Sequence, residues 1–214
     1  MSILDELKTR VIDMDVPGVV ELTRKALSEG SSAEEILNKS LIPAMEIVGD
    51  EYEYGDRYIP EMLLSADAMK GAMNILRPVL AGTGVKMQGK VVIGTVEGDL
   101  HEIGMNLVSV MLEGAGFEVC NLGAEVPAEK FVKAVKEHEA NLLGMSALLT
   151  TTMLNMKVVI EALQEAGMRE KVKVMIGGAP VTQDYADEIG ADGYASDAPS
   201  ATELAKQLSA RSGS

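Results

Sequence analysis

Short apolar segments alternate with helix-like segments throughout the second half of this 214-residue chain. The apolar segments have the length of strands and are rich in β-branched residues, and turn residues separate them from the amphipathic stretches. Strand and helix in alternation predict a parallel sheet with right-handed crossover connections. The predicted strands cover residues 90–96, 118–122, 141–146, 173–176 and a short stretch near 193–195.

We expect these five strands to form a flavodoxin-like (Rossmann-like) α/β domain with strand order 2-1-3-4-5. The first half of the chain has almost no strand pattern. Its apolar residues recur at helical spacing, and residues 1–82 predict a bundle of four amphipathic helices. A stretch with several glycines and no periodicity at residues 82–89 reads as a linker. The predicted domains are therefore a helical domain over residues 1–86 and the α/β domain over residues 87–214.

Composition excludes several classes of function. The formal net charge is −14, and an acidic surface repels phosphate backbones, so we expect no nucleic acid partner. A single cysteine and two histidines exclude an internal disulfide and a zinc site built from several cysteines. No apolar run has the length of a membrane span, and the first ten residues lack the pattern of a signal peptide. We therefore expect a cytoplasmic protein without a membrane partner.

Ligands of such sheets bind beyond the carboxyl ends of the strands, where the strand order reverses. The loop after the first strand contains Asp99 and His101, and the loop after the third strand is rich in hydroxyl groups, including Thr152. A carboxylate that binds one imidazole nitrogen orients the ring and makes the other nitrogen a better metal ligand. One histidine is too few for a bare metal ion, but it suffices for one axial ligand of a metal held in a macrocycle.

Three short motifs carry a resemblance to a known family. Residues 99–104 read Asp-Leu-His-Glu-Ile-Gly, residues 146–148 read Ser-Ala-Leu, and Gly177-Gly178 follow the fourth strand. In order and spacing they resemble the D-x-H-x-x-G … S-x-L … G-G signature of cobalamin-binding domains. The helical half is similar to the cap of cobalamin-dependent methionine synthase, in particular at residues 58–66. Nearly the whole chain resembles the corrinoid protein of a multi-component methyltransferase system.

The resemblance implies a role for individual residues. His101 would be the lower ligand of cobalt in place of the cofactor's own base (base-off/His-on), and Asp99 would bind and tune His101. Thr152 would complete this relay, although several relatives have Ser there. Gly104 would permit close approach of the backbone to the cofactor. The channel for the nucleotide tail would be lined by Ser146, Leu148, Thr150, Gly177 and Gly178, with Tyr194 near its end, and the methyl group would lie near Met62, Leu63 and Met69.

The resemblance also implies a function. The protein would bind cobalamin, accept a methyl group on Co(I) and present methyl-Co(III), so that methylcobalamin forms during turnover. It would be a methyl-carrier subunit rather than a complete enzyme. Its partners would be a substrate:corrinoid methyltransferase, a second methyltransferase that delivers to tetrahydrofolate or a thiol, and a reductive activator. The methyl donor would be a methylamine, methanol, a betaine or a methoxyaromatic compound.

Several alternatives stay open on the sequence alone. The small subunit of an adenosylcobalamin-dependent mutase carries the same D-x-H-x-x-G motif but generally lacks the helical cap. A B12-sensing regulator would need a basic DNA-binding region, and a flavodoxin-like signalling domain would need an acidic phosphoacceptor cluster. Met62 and Met69 also have the spacing of an ordinary bundle core. His138 reads as a surface residue, and Cys120 as an inert core residue inside a strand.

Overall fold

The computed structural model describes residues 2–80 and 88–211 and divides into two compact units. The helical unit contains the helices up to Leu80 together with Glu113–Gly116. The α/β unit contains the described residues from Gln88 to Leu112 and from Phe117 onward. Most of the predicted linker at residues 82–89 lies outside the described residues. No helix in the described ranges combines the length and the apolar character that a membrane span requires.

Side-chain caps and prolines set the ends of the helices in the helical unit. Ser2 and Ser32 each form a capping box with the acidic residue three positions later, Asp5 and Glu35 respectively. One π-helical turn, Leu37–Leu41, joins the third and fourth helices, and Pro43 follows it, a residue that has no N–H to donate to the preceding turn. The helices are α1 (Ile3–Ile12), α2 (Val16–Ser28), α3 (Ala33–Ile36), α4 (Ile42–Glu53) and α5 (Ile59–Leu80).

A buried stripe along α5 faces the rest of the helical unit. Its members recur at intervals of three and four residues, which places them on one side of the helix. The stripe consists of Met62, Ser65, Ala68, Met69, Ala72, Met73, Leu76 and Leu80. Arg57, just before α5, donates hydrogen bonds to the Ile12 carbonyl at the end of α1 and to Ser65 Oγ, and it pairs with Glu51 of α4. One side chain therefore connects three helices.

The α/β unit alternates strands and helices, as the sequence predicts. Its strands are β1 (Lys90–Thr95), β2 (Glu118–Asn121), β3 (Leu142–Ser146), β4 (Lys173–Gly177) and β5 (Gly193–Ala195). Its helices are α6 (Ile103–Gly114), α7 (Ala128–His138), α8 (Leu154–Glu165), α9 (Gln183–Ile189) and α10 (Ala198–Arg211), with a short 3-10 turn at Arg169–Lys171.

The five strands form one parallel sheet in the order β2-β1-β3-β4-β5, so the predicted fold and strand order are confirmed. The register places Thr95, Ser146 and Gly177 side by side at the carboxyl ends of β1, β3 and β4. The predicted first strand is one residue too long, because Val96 forms only an isolated bridge with Val126.

The central strands are buried on both faces and the edge strand β2 is not. Residues 142–145 of β3 are fully buried, whereas the four residues of β2 are half-buried or exposed. Cys120 lies in β2, and its Sγ is 3.3 Å from His138 Nε2 on α7. Its place is therefore at the partly exposed edge rather than in the core. Burial and the nearby Glu118 carboxylate raise the pKa of the Cys120 thiol.

Candidate functional site

A tight turn at the carboxyl end of β1 begins the site. The Asp99 N–H donates to the Val96 carbonyl at 3.0 Å and closes the turn. Gly98 occupies a position with φ +79°, which a side chain would strain, so the sequence needs glycine there. The turn directs the Asp99 side chain into the protein. Thr152, at the start of the α8 segment, reaches the same carboxylate from the β3 side.

Four donors surround the fully buried Asp99 carboxylate. Its Oδ1 accepts hydrogen bonds from the His101 N–H at 3.0 Å and lies 2.9 Å from His101 Nδ1. Its Oδ2 accepts from the Leu148 N–H at 2.7 Å and from the Thr152 hydroxyl at 2.6 Å. Both oxygens are therefore satisfied, which a buried charge requires.

These donors determine the charge state of Asp99. Burial by itself would raise the pKa of the carboxyl group. The hydrogen bonds from Thr152, Leu148 and His101 outweigh burial and hold the pKa of Asp99 well below its usual value. Asp99 is thus a carboxylate, an acceptor only, so a neutral His101 carries its proton on Nδ1.

The arrangement leaves His101 Nε2 free to bind a metal. The imidazole is half-exposed, and Nε2 has no hydrogen-bond partner among the residues of the described ranges. On either side of it, Leu100 and Ile103 are exposed by 67% and 80%, and Leu148 by 43%. Large apolar side chains clustered on a surface indicate a site for an apolar ligand or partner. Here Leu100 and Ile103 are near His101 in the sequence, and the Leu148 N–H binds the same Asp99 carboxylate that orients the His101 ring.

The donor set fits an axial ligand to a metal that a macrocycle already holds. Among the described residues there is no cluster of three or more His, Cys, Asp or Glu side chains that could hold a bare metal ion. Gly104 lies at the start of α6, and a Cβ there would meet no atom within 4 Å, so the space above this backbone is open. A flat, largely apolar ring with a metal at its centre fits the exposed side chains, the open backbone and the lone imidazole.

The remaining residues of the predicted tail channel lie along the same edge of the sheet. Ser146 ends β3 and Gly177 ends β4, and the two residues are paired in register. Tyr194 lies in β5 and pairs with Ile176 of β4. A Cβ on Gly178 would stand 1.9 Å from the Ala147 carbonyl oxygen, so a side chain is excluded there. Thr150 is exposed and lies in the loop between β3 and α8.

The structure separates the three cap candidates. Met62 and Met69 lie on the buried stripe of α5 with Ser65, and their exposed fractions are 0% and 2%. This position favours the bundle-core interpretation of both methionines. Leu63 lies on the outer side of α5 and is half-exposed, as are Ile59 and Leu64.

Sequence reasoning missed two contributors to the site. The resemblance implies that Leu148 lines the tail channel, and the structure shows a further role, since the Leu148 backbone N–H binds Asp99. Thr95 is fully buried, and its hydroxyl donates to the Asp99 carbonyl. A polar residue that ends an otherwise apolar strand was the available signal for Thr95. The direction of a backbone N–H leaves no such signal.

Comparison with protein families identifies both parts of the chain. A B12 binding domain model matches residues 89–203, and a second model, also described as a B12 binding domain, matches residues 3–77. A corrinoid protein of Desulfitobacterium hafniense is 44% identical over 97% of this chain and 98% of its own length. This chain belongs to the corrinoid protein family. The cofactor predicted from the sequence, a corrinoid, is confirmed.

Other corrinoid proteins extend the comparison. Dimethylamine corrinoid protein 2 of Methanosarcina acetivorans is 46% identical over 97% of this chain and 96% of its own length. A chain from the crystal structure of the methanol:cobalamin methyltransferase complex of Methanosarcina barkeri aligns with a TM-score of 0.87 and 31% identity, and the match covers 97% of this corrinoid protein and 80% of that chain. The predicted flavodoxin-like fold with a helical N-terminal region is therefore confirmed.

Proposed function

We propose that this corrinoid protein is a methyl carrier that binds cobalamin in the base-off/His-on state. The observation that carries the proposal is the His101 imidazole, whose Nδ1 is held by a buried carboxylate while Nε2 is free. The cobalt of the bound corrinoid supplies the nucleophile that takes up a methyl group and gives it up again. His101 would hold the lower face of the cobalt, and Asp99 would fix the ring and its tautomer.

The other site residues would bind and shield the cofactor. Gly104 would leave room for the ring, and the hydroxyl of Thr152 would keep Asp99 charged. A channel for the displaced tail would be lined by Ser146, Leu148, Thr150, Gly177, Gly178 and Tyr194. The helical domain at residues 1–86 would cover the upper face, with Leu63 the strongest of the three cap candidates because its side chain is at the surface. Residues 87–214 would form the cobalamin-binding domain.

The proposed partners follow from the carrier role. A substrate-specific methyltransferase would donate the methyl group, a second methyltransferase would pass it to tetrahydrofolate or a thiol, and a reductive activator would restore oxidised cobalt. Dimethylamine and trimethylamine corrinoid proteins among the relatives support a methylamine as the donor. The chain in a methanol:cobalamin methyltransferase complex supports the existence of a methyltransferase partner.

The first experiment is a visible spectrum of three proteins after incubation with hydroxocobalamin and gel filtration. These are the wild type, His101→Ala and His138→Ala, which removes the only other histidine. We expect the wild type and His138→Ala to retain about one corrinoid per chain with an imidazole-ligated spectrum. His101→Ala should lose the corrinoid or retain it with a spectrum that lacks imidazole ligation. A colourless wild type, or a His101→Ala spectrum identical to the wild type, would contradict the proposal.

A second measurement separates the carrier from a mutase subunit. The helical region, matched by its own B12 binding domain model over residues 3–77, supports the carrier. Binding should therefore be at least as tight for methylcobalamin as for adenosylcobalamin. A clear preference for adenosylcobalamin would favour the mutase subunit.

A further inference from the structure

We infer that Thr95 is a positioning residue, which holds the Asp99 backbone so that the carboxylate can orient His101. This inference rests on the proposed role of His101 as the cobalt ligand. Thr95 does not touch His101 and acts through the turn between them. The hydroxyl of Thr95 is the one buried side-chain group that reaches this turn from the β1 strand itself.

The Thr95 hydroxyl makes two hydrogen bonds to different loops. It donates to the Asp99 carbonyl oxygen at 2.5 Å and accepts from the Glu125 N–H at 3.1 Å. The Glu125 N–H also lies 3.2 Å from the Asp99 carbonyl. Because Thr95 is fully buried, water cannot replace either bond without a local rearrangement.

The backbone of Thr95 also binds the loop after β2, which contains Glu125. Its N–H donates to the Gly123 carbonyl at 3.0 Å, and its carbonyl accepts from the Val126 N–H at 3.0 Å. Between these two contacts Glu125 has φ +52°, a left-handed conformation that is unfavourable for a residue with a side chain. The surrounding contacts must maintain this conformation, and they point the Glu125 N–H at Thr95 and Asp99.

Asp99 is therefore held from two sides. From the β3 side, Thr152 and the Leu148 N–H bind its carboxylate. Thr95 at the end of β1 and Glu125 in the loop after β2 bind its carbonyl. A valine at position 95 keeps the volume but removes the donor from the Asp99 carbonyl and the acceptor from the Glu125 N–H. The turn can then rotate, and Asp99 Oδ1 loses its fixed distance to His101 Nδ1.

Nitrogen-15 NMR of the cofactor-free protein tests the inference directly. The chain has two histidines, and a His138→Gln background leaves only the His101 signals. The ring nitrogen shifts of the neutral form report which nitrogen carries the proton. In this background we expect the Nδ1–H tautomer to dominate, and Thr95→Val to lower the ratio of Nδ1–H to Nε2–H about tenfold. Thr95→Ser, which keeps the hydroxyl, should restore the ratio.

A matched control distinguishes positioning from general loss of a buried hydroxyl. Thr202 is also buried in the α/β unit, and its hydroxyl donates to the Ala198 carbonyl at 3.0 Å within α10. Thr202→Val should leave the His101 tautomer unchanged. If Thr95→Val does not fold, Thr95→Cys takes its place, because a thiol of similar size is a weak donor.

Loading with hydroxocobalamin separates this inference from the proposed function. With an imidazole-ligated wild type, Thr95→Val should show a reduced fraction of ligated cofactor and Thr95→Ser the wild-type fraction. An unchanged tautomer ratio and an unchanged ligated fraction in Thr95→Val would overturn the role of Thr95 while leaving the carrier intact. A wild type that binds no corrinoid, together with a tautomer ratio that depends on Thr95, would overturn the carrier and leave the positioning role.

Discussion

A carboxylate at position 99 lies where an unpaired charge would be strongly unfavourable. Its four hydrogen-bond donors come from the adjacent turn and from the loop after β3. The spacing of Asp99 and His101, with a hydroxyl at Thr152, was enough to predict their association. The backbone amide of Leu148 was not predictable, because its position depends on how a distant loop approaches the turn, and for Thr95 the sequence offers only a polar residue at the end of an apolar strand.

Gly178 provides a residue-scale prediction. An added Cβ would overlap the Ala147 carbonyl oxygen, and φ at Gly178 is +121°. We expect Gly178→Ala to lower the free energy of unfolding by at least about 3 kcal/mol and to weaken corrinoid retention. Gly190→Ala is the control, since φ there is +77° but a Cβ meets nothing within 4 Å. That variant should lose only about 1 kcal/mol in urea unfolding. Equal losses would show that steric overlap does not determine the requirement at Gly178.

At the scale of elements, hydrophobic periodicity predicted the strands and their order. In the helical unit the structure has five α-helices up to Leu80 where the pattern predicts four, because a π-helical turn at Leu37–Leu41 separates α3 from α4. The ends were less accurate because capping is local chemistry. Asp197 Oδ1 accepts from the Ser200 N–H, and α10 begins at Ala198, directly after this capping residue. The π-helical turn at Leu37–Leu41 has no periodic signal either. The site was predictable at this scale because parallel strands bring their carboxyl ends to one edge.

Arg57 offers a test of how the helical unit is fixed. Its side chain is 11% exposed and connects α1, α4 and α5 through Ile12, Glu51 and Ser65. Arg57→Met should lower the free energy of unfolding by about 2–3 kcal/mol, because Glu51 and the Ile12 carbonyl lose a buried partner. Lys39→Met removes an exposed pair with Glu35 and should cost about 0.3 kcal/mol. Urea unfolding followed by circular dichroism measures the free energy of unfolding of both variants. Similar losses in Arg57→Met and Lys39→Met would contradict the role of Arg57 in connecting the three helices.

Asp192 makes the stability of the α/β unit depend on pH in the acid range. Burial raises the pKa of this carboxyl, but hydrogen bonds from the Val174 N–H and Lys173, with the charge of Arg169, lower it further than burial raises it. Its stabilising contribution is therefore complete above the unfolded value of 3.8 and is lost as the pH falls through the lower folded value.

The variant Asp192→Asn should lower the free energy of unfolding by about 1–3 kcal/mol at pH near 7. It should also flatten the fall in stability below pH about 4, since the titrating group is gone. Urea titrations at neutral and acid pH measure both effects. Glu161→Gln, at an exposed position of α8, serves as the control. If the free energy of unfolding of Asp192→Asn fell with pH in parallel with that of the wild type, the stabilising role of the ionised Asp192 would be refuted.

At the scale of the whole molecule, the net charge of −14 acts over longer distances than any single contact. We expect association with a methyltransferase that presents a basic docking surface to be steered by this charge, so the association rate should fall about tenfold between roughly 50 mM and 500 mM salt. Corrinoid retention depends on short-range contacts and should change little over the same range. Stopped-flow binding and gel filtration measure the two quantities. An association rate independent of salt would exclude electrostatic steering.

The hydrogen bonds around Asp99 also set an order of events during protein synthesis. Asp99 is 49 residues from Leu148 and 53 from Thr152, and Thr95 is 30 residues from Glu125. The His101 loop leaves the ribosome long before these partners do. The nascent chain therefore cannot orient His101, the proposed cobalt ligand, until β3 and the loop after it have emerged and joined the sheet. Cofactor capture is in this sense a late step, and a chain truncated before residue 152 carries the histidine without the means to hold it.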